Sequence, residues 1–229
     1  MKTYILNILL IILLVLSVNI SKAQQPDCPP GFNYVSFVAY WGPNQEPVTI
    51  SFCYACTIGP AGVNILNVSI TTSGQPTENF NDAFDATNHF TNEFSSWLTQ
   101  QILNKYFEFC QLPPCTQPPL DTCYNVIETI AQNPICGKLI FFPKYQDKEG
   151  YWHYPQTFEM CSTDLGYCQI KIKNCRDYDH NGVIRSCSCE VVSSIANCPE
   201  SPTIPPNVWE TGYTTDCFQM NPYCGCSIK

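Results

Sequence analysis

The sequence predicts an α+β fold: a small, mostly antiparallel sheet packed by a Phe-rich amphipathic helix and followed by a disulfide-rich β-hairpin module. Three observations carry this expectation. Alternating apolar and polar residues mark short strands up to Thr71, an aromatic stripe of period 3.6 marks a helix after them, and twelve of the sixteen cysteines lie from Cys115 onward.

At the N-terminus, Lys2 supplies a positive charge, Ile8 to Leu16 is unbroken aliphatic, and Ser21-Lys22-Ala23 ends in small residues. Residues 1–23 therefore read as an export signal cleaved after Ala23. A spanning helix wants about 20 apolar residues, whereas Tyr4 to Ile20 is shorter and contains Asn7, Ser17 and Asn19. No membrane insertion is expected after cleavage. The rest divides into an α+β N-terminal part (24–112), a Pro-rich connector (113–119) and a disulfide-rich C-terminal part (120–229).

In the first part, Val48, Ile50, Phe52 and Tyr54 alternate with Thr49, Ser51, Cys53 and Ala55, and Tyr34 to Trp41 is a similar aromatic run. Leu66, Val68 and Ile70 define the apolar face of a third strand. Asn67-Val68-Ser69 is a glycosylation sequon on its polar face, meaningful in a glycosylating host. Thr77 then caps a helix in which Phe80, Phe84, Phe90, Phe94, Trp97, Leu98, Ile102, Tyr106 and Phe109 fall on one side. Weak helix formers from Thr87 to Asn92 are where it would divide, and His89, opposite the stripe, is expected to be exposed.

The prolines at 113, 114, 118 and 119 make a stiff, extended connector. Beyond it, Leu120, Cys123, Tyr124, Ile127, Ile130 and Ala131 read as a short helix ended by Pro134. Leu139 to Phe142 reads as a strand joined by a turn at Asp147-Lys148-Glu149-Gly150 to Tyr151-Trp152-His153-Tyr154, with Pro143 and Pro155 limiting the hairpin. The stretch from Pro199 to Lys229 is expected to wrap the surface, pinned by Cys217, Cys224 and Cys226.

Composition narrows the function. Of 11 basic residues, Lys2 and Lys22 leave with the leader, so 9 remain against 19 acidic ones and the charge falls from −8 to −10. That balance excludes nucleic acid and anionic membranes as partners. Charged residues are 13% of the chain, against about 25% in ordinary globular domains, a surface suited to adhesion or assembly with other surface proteins, with itself or with glycans. An exported chain meets oxidising conditions, so Cys28, Cys53, Cys56, Cys110, Cys115, Cys123, Cys136, Cys161, Cys168, Cys175, Cys187, Cys189, Cys198, Cys217, Cys224 and Cys226 are all expected in disulfides. The location is extracellular or cell-surface, or periplasmic in a Gram-negative host. Cys53-Tyr54-Ala55-Cys56 has the spacing of a redox or zinc site, but no helix opens after it and only three histidines are present, which favours structural disulfides.

Two stretches carry candidate sites. Asp177-Tyr178-Asp179-His180-Asn181-Gly182-Val183-Ile184 opens like a calcium loop, in which Asp177, Asp179 and Asn181 would converge on one ion, yet Ser188 stands where the loop's bidentate Glu belongs. The competing reading is a β-hairpin with Asn181-Gly182 as a two-residue turn, which opposes Lys173 to Glu190 and Ile172 to Val191 and turns Lys171, Lys173 and Glu190 outward. Trp152 and Tyr154, with Trp41 and Trp209 as neighbours, would form an aromatic platform for sugars or peptides; alternation should bury either that pair or Tyr151 with His153. No nucleophile elbow, H-E-x-x-H or P-loop is present. The favoured function is a secreted or surface binding or structural protein without cofactor other than calcium. The alternative is a secreted glycan hydrolase with Asp177, Asp179 or Glu149 as carboxylates and Trp152 stacking on the sugar.

Overall fold

A computed structural model describes residues 28–59, 62–72, 78–115, 126–177, 183–222 and 224–226. The expected leader and most of the connector lie outside them. Among the described residues the chain is mostly β, 47% strand against 15% helical, with a mixed ten-stranded sheet and one helix of seven residues or more. The expectation of an α+β fold with a small sheet is thereby overturned.

The strands are β1 (Asn33–Trp41), β2 (Glu46–Tyr54), β3 (Ile65–Thr72), β4 (Ile127–Pro134), β5 (Cys136–Phe141) and β6 (Tyr145–Gln146). They continue with β7 (Trp152–His153), β8 (Gln156–Met160), β9 (Gly166–Asp177), β10 (Val183–Ala196), β11 (Tyr213–Thr214) and β12 (Phe218–Gln219). β3 is the junction. One edge takes β2 and then β1; the other takes β4 in parallel at Ile65, leading to β9 and β10, and β8 at Thr71, leading to β5 with β11 and β12. Strands from both sides of the connector thus share one sheet.

Val48, Ile50 and Phe52 of β2 point into the core as their alternation requires, and all are fully buried. β3 departs from simple alternation. Its register against β2 slips between Ser51 and Cys53, and Asn67 has φ 52. This bulge moves Leu66 to the opposite side, where it packs with Cys53 and Val63, while Ile65, Val68 and Ile70 face the main core. Leu66 therefore does not share a face with Val68 and Ile70.

The aromatic stripe breaks where its weak helix formers lie. A 3₁₀ turn covers Glu78–Ala83 and the helix α1 runs from Asn92 to Phe109. Thr91 caps it, its hydroxyl accepting from the Phe94 amide at 3.2 Å. Phe94, Leu98, Ile102 and Tyr106 are buried against the sheet. Phe80, Phe90 and Phe94 close on Phe158 of β8 at centroid distances of 5.6, 5.1 and 5.9 Å. A second, one-turn helix, α2, covers Val208–Thr211.

The helix expected up to Pro134 is strand β4 from Ile127 onward. Its inward positions are Thr129, Ala131 and Asn133, all buried, whereas Ile127 is exposed and Ile130 packs on the opposite face. Asn64 secures the parallel edge by accepting from the Ile130 amide at 3.0 Å and donating its own amide to the Ile130 carbonyl at 2.8 Å.

β9 and β10 form a hairpin, in a different register from a turn on Asn181-Gly182. Among the described residues Asp177 pairs with Val183, and breaks between Ser186 and Ser188 and between Val191 and Ser193 bring Lys171 opposite Glu190 and Ile172 opposite Cys189. Lys171 and Lys173 still face outward and pair with Glu190 and Glu128. The C-terminal stretch does more than wrap the surface: β11 and β12 add to β5, and Phe218 and Met220 are fully buried in the core.

Seven disulfides join described residues: Cys28–Cys53, Cys56–Cys110, Cys115–Cys175, Cys136–Cys198, Cys161–Cys217, Cys168–Cys224 and Cys189–Cys226. Cys187 is also disulfide-bonded. The members of Cys53-Tyr54-Ala55-Cys56 bond to different partners, as do Cys224 and Cys226. Three of these bridges tie Cys217, Cys224 and Cys226 to Cys161 just after β8, to Cys168 of β9 and to Cys189 of β10, fastening this segment to the sheet. This cross-linking fits an extracellular disulfide-rich protein.

Candidate functional site

The most chemically distinctive surface is the ribbon that leaves the sheet between β5 and β8. The β5/β8 ladder runs from Gly137 with Met160 to Phe141 with Gln156. Pro143 and Pro155 then supply no amide donors, and the last link before the ribbon is the Phe142 amide to the Pro155 carbonyl at 3.0 Å. Pairing resumes as a separate two-stranded sheet, Tyr145 with His153 and Gln146 with Trp152. Its turn is held by the Gly150 amide to the Asp147 carbonyl at 3.2 Å, with Gly150 at φ 91, and by the Asp147 amide to the Tyr151 carbonyl at 3.0 Å.

Two-residue periodicity gives the ribbon two different sides. On one, the Tyr145 and His153 rings stack at 4.9 Å with an interplanar angle of 16°. His153 Nε2 lies 2.8 Å from Asp147 Oδ2, and Asp147 Oδ1 accepts from the Tyr151 amide at 2.8 Å. The His153 hydrogen bond holds the Asp147 carboxyl below its usual range, aided by the Tyr151 and Gly150 amides.

The other side carries Trp152. Lys144 Nζ sits 5.2 Å from the Trp152 ring centroid and 2.6 Å from Glu210 Oε1. The Glu210 carboxylate raises the Lys144 ammonium above its ordinary value. Helix α2 is anchored beneath, the Lys144 amide donating to the Trp209 carbonyl at 2.8 Å. The Trp209 ring meets Phe141 edge-on at 4.8 Å and Tyr154 at 5.6 Å. Trp209 is thus the bridge between the core and the ribbon.

Alternation called for one aromatic pair of the ribbon to be buried, yet Tyr151, Trp152 and Tyr154 are all exposed, Trp152 to 51% and Tyr154 to 43%. The ribbon is a two-stranded sheet of its own, separate from the ten-stranded one. Of the two neighbours expected from the sequence, Trp209 adjoins Tyr154, whereas Trp41 packs on Phe94 and Trp97 of α1. Lys144 and Glu210 were not legible as site residues: Glu210 lies in a stretch without periodicity, and the bracketing prolines 143 and 155 were the only sign that this hairpin would leave the sheet.

The remaining candidates are placed as follows. Asp179 and Asn181 lie outside the described residues, and Asp177 ends β9. Glu149 is exposed in the ribbon turn. Asn67 is half-buried on its bulge in the sheet. His89 does not project freely: Nε2 lies 2.8 Å from the Glu200 carbonyl and Nδ1 lies 3.0 Å from the Thr87 hydroxyl. A small pocket between α1 and the β9/β10 hairpin is lined by residues including Thr99, Leu103, Ile172, Ser186 and Gly225, none of them a carboxylate or imidazole. Among the described residues no group of three or more His, Cys, Asp or Glu side chains is placed to hold a metal ion, and no helix is long and apolar enough to cross a membrane. No protein-family model, curated protein or solved structure matches the chain.

Proposed function

We propose that this chain is a secreted or cell-surface binding protein that recognises glycans through the ribbon formed by β6 and β7. The observation that carries the reading is the exposure of Trp152 and Tyr154 on one side of a ribbon projecting from a disulfide-cross-linked sheet. Exposed aromatic surface costs solvation free energy, and a protein that keeps it in a rigid, polar-rimmed setting has a use for it. A pyranose ring presents an apolar C–H face to an indole and hydroxyls to its rim. Here the rim is the Lys144–Glu210 pair and Gln146, whose side-chain amide donates to the Gly150 carbonyl at 2.7 Å.

The same geometry supports binding over hydrolysis. A glycosidase needs two carboxyl groups across a cleft, one free to protonate and one free to attack or activate water. Beside Trp152, Glu210 is committed to Lys144 and Asp147 to His153. The test is an array of immobilised neutral and acidic oligosaccharides probed with the oxidised protein, followed by the Trp152→Ala variant on every positive feature. Binding that disappears in the variant supports the reading; binding that persists relocates the site.

A further inference from the structure

The free edge of β1 assigns a second role. β1 pairs with β2 alone over nine continuous residues, Asn33 with Tyr54 through Trp41 with Glu46, and no other strand covers its outer edge among the described residues. Natural sheets guard such an edge with charge, proline, bulges or brevity. β1 has none of these: Asn-Tyr-Val-Ser-Phe-Val-Ala-Tyr-Trp contains no Lys, Arg, Asp, Glu or Pro and no register break. Its outward residues Val38 and Tyr40 are 50% and 57% exposed. The contrast within the molecule is β10, the edge at the far end of the β4–β9 arm, which is broken by two bulges and carries the Lys171–Glu190 pair.

We infer that β1 pairs antiparallel with β1 of a second copy, joining two sheets about a two-fold axis. Every molecule brings the same strand, and a two-fold axis at Phe37 uses all nine residues. Asn33 then opposes Trp41, Tyr34 opposes Tyr40, Val35 opposes Ala39, Ser36 opposes Val38, and Phe37 opposes itself. Charge selects the same place. The chain carries a net −8, so two copies repel except where the contact strip is neutral, as β1 is. Glu46 lies beside Trp41 on β2, and in this arrangement the two copies of Glu46 stand at opposite ends. Lys105, which lies 5.8 Å over Phe37, is neutralised by Glu108 at 2.5 Å.

Sedimentation of the oxidised full chain across its soluble concentration range tests the inference. Wild type is expected to dimerise, and Val38→Lys and Ser36→Lys, both exposed and away from the core, are each expected to weaken the dimer by about tenfold or more. A near-ultraviolet circular dichroism spectrum like that of the wild type shows that each variant folds, since loss of the dimer alone lowers the melting temperature. A photo-cross-linking residue in place of Tyr40 is expected to attach near Tyr34 of the second copy. A monomer at all concentrations, a dimer indifferent to both lysines, or a cross-link to β10 would each overturn it. Glycan binding by either species leaves this result unaffected, so the two readings fail separately.

Discussion

The Asp147 carboxylate lies 2.8 Å from His153 Nε2 and takes the Tyr151 amide on its other oxygen, so one side chain fixes both the turn and the outer strand of the aromatic ribbon. Because the His153 hydrogen bond and the backbone amides lower its folded pKa, its contribution is fully present above the ordinary value of 3.8 and is lost as pH falls through the lowered value. Hydrogen-exchange protection of the Tyr151 amide is expected to persist at pH 5 and to fail in strong acid. Asp147→Asn should lose part of that protection at neutral pH while leaving the sheet amides unchanged.

A buried counterpart sits beneath α1. The Tyr106 hydroxyl donates to the Ala55 carbonyl at 3.2 Å, and burial pushes its pKa up to about 12 from 10.0. A raised folded pKa means the stabilisation is complete below pH 10 and is lost as pH rises towards 12. Tyr106→Phe should lower unfolding free energy at neutral pH by about 1 kcal/mol, the size of one such hydrogen bond, and flatten the alkaline decline measured by urea titration.

Asn67 carries the β3 bulge at φ 52, a conformation that Asn and Gly tolerate and branched residues do not. On protein made without glycosylation, Asn67→Gly should be near neutral, whereas Asn67→Val should cost about 1–2 kcal/mol. Equal losses for both would mean that the side chain matters and the backbone conformation does not.

The Asp177-Tyr178-Asp179-His180-Asn181-Gly182 run is tested through stability. The described part of the β9/β10 ladder includes Asp177 with Val183, a register other than that of a two-residue turn on Asn181-Gly182. A calcium ion held by Asp177, Asp179 and Asn181 would raise the melting temperature of the wild type, and Asp177→Ala with Asp179→Ala would abolish the rise; a hairpin turn alone predicts no response. A melting temperature indifferent to both calcium and chelator would remove the cation from the account.

Where side-chain periodicity matched burial, the fold was legible in the sequence, and where it did not, the reading went astray. Val48, Ile50 and Phe52 announced β2 because the buried positions are the apolar ones. β4 misled because its inward positions include Thr129 and Asn133, the latter donating to the Cys224 carbonyl at 3.2 Å, while Ile127 and Ile130 lie elsewhere. With Ala131 the one apolar residue among the inward positions Thr129, Ala131 and Asn133, the period resembled a helix. Leu66 misled because a bulge inverts alternation without a Gly or Pro to mark it. The size of the sheet was hidden for a different reason: β8 and β11 are short, and the pairings of β8 with β3 and of β11 with β5 join segments remote in sequence. Of the candidate site, Trp152 and Tyr154 stood out as aromatics in a short hairpin, whereas Lys144, Trp209 and Glu210 meet them only because Trp209 docks on Phe141.

Glycan recognition by the ribbon is tested by titrating the oxidised protein with an oligosaccharide that scores on the array, following intrinsic tryptophan fluorescence, and repeating the titration with Trp152→Ala. Saturable binding that perturbs the emission is expected, with a loss of about 2 kcal/mol or more in the variant, as for a central aromatic anchor, and an unchanged melting temperature. No binding to any glycan, or equal binding by Trp152→Ala, would contradict glycan recognition by the ribbon.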